Sequence, residues 1–216
     1  MINIVYEDNH LLVVEKPYNL PVNADSSGDP NLLDCLKSLI KERDHKPGNV
    51  FLALVHRLDR PVGGIMVFAK TSKAAARLSE QFRQREVHKS YLAVVCGLAA
   101  DSDTFQDKLL KDHDKNLVKV DGAGKEAKLQ YRTLARLAGC SLVEIKLLTG
   151  RSHQIRVQFA YHNLPLWGDQ KYNPQAKKGQ QLALYSQSLA FQHPISKETL
   201  SFSLLPQFPP FDQFKY

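Results

Sequence analysis

The polar run His56-Arg57-Leu58-Asp59-Arg60 sets one carboxylate between two guanidinium groups, in a loop between the β-rich stretches 50–55 and 65–69. Flanking cations hold a carboxylate ionised, the state required of a nucleophile or electrostatic stabiliser rather than of a general acid. The same five residues also fit a local salt-bridge cluster without chemistry. A second polar run, Gly150-Arg-Ser-His-Gln-Ile-Arg156, puts Arg151 at a helix start and Arg156 on a later turn, with His153 and Gln154 beside them. Helix-start amides and arginines suit a phosphate group, although basic helix starts are common. Lys16 follows an apolar strand directly, and Lys89 and Tyr91 open another. A ring beside cations can stack on a nucleobase; a lone tyrosine in a strand equally fits the core.

Other chemistries fit less well. His56, His88, His153 and His162 with Asp59 offer no helical HxxxH spacing and no carboxylate at a matching offset, so no metal site is expected. The string around Asp59 resembles a kinase catalytic loop, but the glycine-rich phosphate loop, paired lysine and DFG are missing. Cys35, Cys96 and Cys140 are odd in number and far apart in sequence, without a CxxC pair. Neither a zinc site nor a disulfide framework is expected, and a reducing compartment is the default.

The elements that must position these residues can be read from periodicity. Residues 2–6 and 11–15 predict a hairpin across Asp8-Asn9. Asp29-Pro30 predicts an N-cap and first helical residue, followed by Leu32, Leu33, Leu36, Leu39 and Ile40 on one face until Lys46-Pro47-Gly48. Residues 50–55 and 65–69 predict strands, and Thr71 caps a helix with Ala75, Leu78 and Phe82 inward and Lys73, Arg77, Gln81 and Gln84 outward. Residues 91–95 and 142–148 predict strands, and Thr149–Ser152 leads into a helix ending at Asn163. The stretch 97–124, with Lys108, Lys111, Lys115 and Lys119, reads as strands and a loop near a nucleic-acid surface, and residues 188–191 and 200–205 as further strands. Strands outnumber helices without alternating regularly with them. This predicts an α+β fold on a mixed, mainly antiparallel central sheet with flanking helices and loops, in one domain over residues 1–216.

The 216 residues carry 29 Lys+Arg against 22 Asp+Glu, a net charge of +7. Residues 1–55 hold 5 basic and 8 acidic side chains and residues 56–216 hold 24 and 14, so the excess lies with the candidate motifs. A basic balance fits nucleic acid, an acidic membrane or plain solubility. Acids near Met1 and the lack of a long apolar run speak against a signal peptide or membrane span, and a cytoplasmic location is expected.

Together the segments resemble the RluA-type family of RNA pseudouridine synthases. The resemblance runs through Leu11-Leu-Val-Val-Glu-Lys-Pro17, His56-Arg-Leu-Asp-Arg60, Gly63-Gly64, Ala69-Lys-Thr71 and Lys89-Ser-Tyr-Leu-Ala-Val-Val-Cys-Gly97. It continues at Gly124-Lys-Glu-Ala127, Thr149-Gly-Arg-Ser-His-Gln-Ile-Arg-Val157 and Leu166-Trp-Gly-Asp-Gln-Lys-Tyr172, in the family's order. The resemblance implies a catalytic fold with a central cleft, cofactor-free and metal-free isomerisation of uridine, and action as a monomer on an rRNA or tRNA stem-loop. Asp59 matches the catalytic aspartate, Tyr91 the tyrosine that contacts the uracil and Arg156 the arginine paired with the aspartate. Ile155 matches the apolar residue beside the base, and Arg57 the arginine that enters the space left by a flipped nucleotide. His56, Arg151, Lys16 and Lys89 complete the expected RNA-binding set.

Two departures stand out: Pro61-Val62-Gly63-Gly64 where many relatives have Thr-Ser-Gly, and Leu184-Tyr185-Ser186 where many have Leu-His-Ala. No S4-type RNA-binding domain is expected ahead of the first strand, which would leave target choice to the catalytic domain. The competing expectation is a non-catalytic RNA-binding or RNA-remodelling protein with the same fold, which makes no demand on Asp59.

Overall fold

A computed structural model describes residues 2–112 and 114–215. The chain runs β1 (Asn3–Glu7), β2 (Leu11–Lys16), α1 (Leu32–Arg43), β3 (Ala53–Leu54), β4 (Gly63–Ala69), α2 (Ser72–Gln84) and β5 (His88–Cys96). It continues with β6 (Ser102–Asp112), β7 (Leu117–Val120), β8 (Lys125–Leu137), β9 (Cys140–Leu147), α3 (Gln154–Tyr161), β10 (Leu184–Gln192) and β11 (Thr199–Ser203). The mainly antiparallel α+β class expected from the sequence is the one adopted. No helix among the described residues is long and apolar enough to cross a membrane. The chain forms two compact units, Met1–His88 with Ser188–Leu204, and Lys89–Gln187 with Leu205–Tyr216.

In the first unit β2 lies between β1 and β4, antiparallel to both. The expected hairpin forms, and its turn is held by Asp8: Oδ1 accepts from the His10 and Leu11 amides, both at 2.7 Å, and Oδ2 from the Tyr6 hydroxyl at 2.8 Å and His193 Nε2 at 2.9 Å. Leu11, Val13, Ile65 and Val67 point from the strands into a core closed by Ala74 and Leu78 of α2. Thr71 caps α2 as predicted, its hydroxyl accepting from the Ala74 amide at 3.2 Å.

Three expectations for this unit are corrected. The cap of α1 is Asn31, whose side chain accepts from the Asp34 amide at 3.1 Å; Asp29 is engaged instead by Arg60, at 2.5 Å. Gln81 faces inward: its amide donates to the Gln192 carbonyl at 2.8 Å and accepts from the Gln192 N–H at 3.0 Å, so a polar side chain replaces strand pairing there. The strand expected over 50–55 shrinks to β3, because His56 Nε2 rather than a strand carbonyl accepts the Val67 N–H, at 3.1 Å.

The second unit is a meander in the order β5-β9-β8-β6-β7, every neighbour antiparallel. Helix α3 packs Val157 against Leu109, Val118 and Ala127, while Phe159 closes an aromatic cluster with Phe105 and Tyr131. The stretch 97–124 forms the β6–β7 hairpin; its four lysines are matched by six aspartates, and Lys119 pairs with Asp121 at 2.7 Å. A net −2 in this stretch gives its lysines no collective field for a polyanion.

Glu7 marks how the first unit responds to acid. Arg43 grips its carboxylate with bonds of 2.7 and 2.8 Å and Lys70 adds one of 2.7 Å, which holds Glu7 down to about 2 from a usual 4.5. The folded state therefore takes up this proton later than the unfolded chain. The contribution is complete above pH 4.5 and is lost as pH falls towards about 2. Urea unfolding across that window should show stability falling with pH, with a shallower slope in Glu7→Gln; an unchanged slope would contradict the role of Glu7.

Candidate active site

The loop carrying Asp59 is built from its backbone outward. Lys16, the last residue of β2, is completely buried, and its ammonium donates to the carbonyls of Pro17 at 2.9 Å, Arg60 at 3.0 Å and Val62 at 2.8 Å. All three ammonium protons meet a carbonyl, which is how a cation is kept inside a protein. Burial pushes Lys16 down to about 7, and the Asp59 carboxylate pulls the other way. Lys16, expected at the RNA, is thus a fastener for the 59–62 turn, which the Val62 N–H to Asp59 carbonyl bond of 3.0 Å closes. The departure Pro61-Val62-Gly63-Gly64 has a partner in the same place. A Cβ on Gly63 would lie 2.7 Å from the Tyr18 ring, so the ring lies on bare backbone.

The side chains of this loop divide their tasks. Leu58 is buried, Asp59 half-buried, and Arg57 exposed. Arg60 departs from the expected flanking role: Nε donates to the Asn19 carbonyl at 3.2 Å, Nη1 to the Ser27 hydroxyl at 3.2 Å and Nη2 to Asp29 at 2.5 Å. It ties the loop to residues 19–29. His56, expected to contact substrate, instead stacks on Phe82 at 4.7 Å between centroids and accepts the Val67 N–H through Nε2. An accepting Nε2 makes it a neutral imidazole in the folded state.

In the second unit α3 begins at Gln154, not at the expected Arg151, so Arg156 lies in its first turn. His153 at the cap is left-handed with no capping bond of its own. Gln154, the first helical residue, instead ties down the turn before the helix: Oε1 accepts from the Thr149 hydroxyl at 2.8 Å and the Arg151 amide at 3.0 Å, and Nε2 donates to the Lys128 carbonyl at 3.1 Å. Arg151 Nε donates to the Glu126 carbonyl at 2.8 Å, which fixes it against β8. Ile155 and Tyr91 are buried, and Tyr91 stands in β5 opposite Ile145. Lys89 is half-buried in the same strand, and burial lowers its pKa.

Arg156 is held by a pair of residues that sequence reasoning missed. Asp169 accepts from its Nε at 2.8 Å and its Nη2 at 2.6 Å, a bidentate pair with side chains 7% and 0% exposed. Asp169 also accepts from the amides of Lys171 at 3.1 Å and Tyr172 at 3.3 Å. The guanidinium carbon stands 5.2 Å from the centre of the Tyr172 ring. The Tyr172 hydroxyl accepts the Val118 N–H at 3.0 Å and lies 2.6 Å from His153 Nδ1. Gly168 makes the turn possible: its φ is +71°, and a Cβ would meet the Gln181 carbonyl oxygen at 2.0 Å. The Gly-Asp-Gln-Lys-Tyr string was the available signal, and its meaning lay in a partner thirteen residues upstream. Among the described residues no group of three or more His, Cys, Asp or Glu is arranged to hold a metal ion.

A strand-rich fold with a carboxylate in a braced loop and a clamped arginine on a helix agrees with the motif order of the sequence. The family model for RNA pseudouridylate synthases matches residues 10–161, and the chain belongs to that family. It is 35% identical over 205 residues to ribosomal large subunit pseudouridine synthase C of Vibrio cholerae serotype O1, covering 91% of this chain and 63% of that protein. It is 36% identical over 217 residues to ribosomal large subunit pseudouridine synthase D of Xanthomonas campestris pv. campestris, covering 92% and 64%. The chain thus spans just under two thirds of the length of these relatives. The fold matches that of human RNA pseudouridylate synthase domain containing 4, with a TM-score of 0.79, 24% identity and coverage of 94% of this chain and 87% of that one.

Two substitutions test the supports. Asp169→Ala removes both bonds of the buried bidentate pair with Arg156 and should cost about 3–5 kcal/mol of unfolding free energy, read by urea denaturation. Lys16→Met fills the same space but takes the ammonium donor from the carbonyls of Pro17, Arg60 and Val62, the last of them in a buried bond, and should cost about 1–3 kcal/mol in the same assay. Wild-type stability in either variant would contradict the assigned role.

Proposed function

We propose that the protein is an RNA pseudouridine synthase that isomerises a uridine in a structured rRNA or tRNA, with Asp59 as the catalytic carboxylate and Tyr91 and Arg156 serving the same reaction. The reading is supported above all by membership of the RNA pseudouridylate synthase family over residues 10–161, a span that includes all three residues. The names of these relatives favour large-subunit rRNA as the first substrate to test. The +10 carried by residues 56–216 suits a polyanionic substrate and makes binding weaken as salt rises.

The isomerisation breaks the N1–C1′ bond and joins C1′ to C5 of the same uracil, while C5 gives up a proton and N1 gains one. Every atom is conserved, so the balance needs no co-substrate. An ionised Asp59 can steady positive charge developing at C1′, attack the sugar or the base, or take a proton from C2′. Each route needs a carboxylate held in place before the substrate arrives, the task to which the Lys16 fastening is suited. Tyr91 offers a ring for a uracil taken out of its stack, and its phenol is a candidate to carry the C5 proton. Ile155 is suited to pack beside the base, with Arg57 exposed for the space the flipped nucleotide leaves. Arg156, neutralised by Asp169, can orient a carboxylate without adding an unbalanced buried charge. The chain is proposed to act as a monomer without metal or organic cofactor.

Recombinant protein incubated with total rRNA and tRNA should form pseudouridine in the presence of EDTA, read by chemical mapping of the RNA. Asp59→Asn should lower turnover by about a thousandfold or more while RNA binding changes far less. Arg156→Ala should lower both turnover and stability, because Asp169 would then be buried without its cation. Full turnover in Asp59→Asn would overturn the assignment, and RNA binding with no turnover in the wild type would favour a non-catalytic RNA-binding role.

A further inference from the structure

Cys96 and Cys140, 44 positions apart in the sequence, stand directly opposite each other at the ends of β5 and β9. The Cys96 N–H turns away from β9 and donates to the Pro165 carbonyl at 2.8 Å, whereas the next residue, Gly97, donates to the Gly139 carbonyl at 2.8 Å. Cys96 and Cys140 therefore form a non-hydrogen-bonded antiparallel pair, the closer of the two kinds, with Cα atoms about 4.5 Å apart. That spacing falls within the range of roughly 4.4–6.8 Å that a disulfide spans. Both residues are half-buried, not sealed in the core, and each borders a turn, at Gly97 and at Ala138-Gly139. Burial raises the pKa of both thiols, and each sulfur lies close enough to shift the other. The third cysteine, Cys35, belongs to the other unit.

We propose that Cys96 and Cys140 are a redox modification site that closes to an intramolecular disulfide when the protein meets an oxidised low-molecular-weight disulfide. One cysteine, as its thiolate, attacks a sulfur of the small disulfide and expels a small thiolate. The opposing thiolate then attacks the protein sulfur of the mixed disulfide, forming the Cys96–Cys140 bond and releasing the second small thiol. The two protein thiols lose two electrons and two protons, and the small disulfide gains both. Because burial raises both thiols, the exchange is slow at neutral pH and accelerates as pH rises and thiolate forms.

The bond would have two consequences. It ties strands otherwise joined through a chain of 44 residues, which restricts the unfolded state. It also alters the sulfur on which Asn173 rests. The Asn173 side-chain amide donates to Cys96 Sγ at 3.6 Å and to the Leu166 carbonyl at 3.0 Å, and its backbone N–H donates to the Asp169 carbonyl at 2.8 Å. Oxidation thus reaches the segment that holds Arg156.

The test uses the reduced, folded full chain with oxidised glutathione at mildly alkaline pH, followed by thiol counting after denaturation and peptide mass mapping. Free thiols should fall from three to one, with a Cys96–Cys140 linked peptide, Cys35 unmodified, and full reversal by dithiothreitol. The melting temperature should rise by about 5–10 °C, reversibly. Cys96→Ser and Cys140→Ser should each stop at a glutathione adduct on the remaining partner, and the double variant should keep the reduced wild type's melting temperature in the presence of oxidant. Glutathione adducts on both residues of the wild type without a link, a link involving Cys35, or three free thiols after the same treatment with diamide would each overturn the proposal.

Discussion

A buried cation must find its counter-charge within the fold, and the pairing of Arg156 with Asp169 shows how much local structure that requirement organises. Both groups are almost fully out of water, so neither is tolerable alone. To meet the guanidinium edge-on, Asp169 must sit in a tight turn, the turn needs Gly168 at a positive φ, and the close passage of the Gln181 carbonyl leaves that glycine no room for a side chain. Tyr172 covers the guanidinium and, through its hydroxyl, bonds the Val118 amide of β7. One ion pair thus links α3, the 168–172 turn and the edge of the meander.

Lys16 solves the same problem by different means. Among the described residues no carboxylate bonds its ammonium; three backbone carbonyls do, two of them in the Asp59 loop. Arg156 is fixed by charge and Lys16 by geometry, and the two solutions have different sensitivities. Removing Asp169 uncovers a charge, whereas removing Lys16 releases a backbone.

Much of this fold is legible in the amino-acid sequence. The β1–β2 hairpin, the Thr71 cap, the strands around Tyr91 and 142–148, and the motif order are local signals, written in alternation, helical spacing and turn residues. Asp29 and Asn31 are both good caps for α1, and Asp29 is engaged by Arg60 and the nearby Ser27 instead. Gln81 looked like a solvent-facing residue because nothing nearby in sequence shows that the Gln192 backbone needs a partner. At the candidate site the residue types were visible and their partners were not. Asp169, the Lys16 carbonyls and the facing cysteines depend on register and on contacts distant in sequence, which no short window contains. In 97–124 the four lysines are interleaved with six aspartates, so the charge of the stretch depends on both signs together.

The fastening of the Asp59 loop from outside has an implication for how the loop can diversify. Any replacement of residues 60–62 inherits a fixed demand to present carbonyl oxygens at two given points to an amine rooted in another strand. The backbone path is thus constrained in addition to the Arg60 side chain, bonded to residues 19–29, and the buried Val62. Insertions or deletions would therefore be filtered far more strictly than point substitutions, and a library randomising this loop at constant length should retain folded members long after one varying its length has lost them.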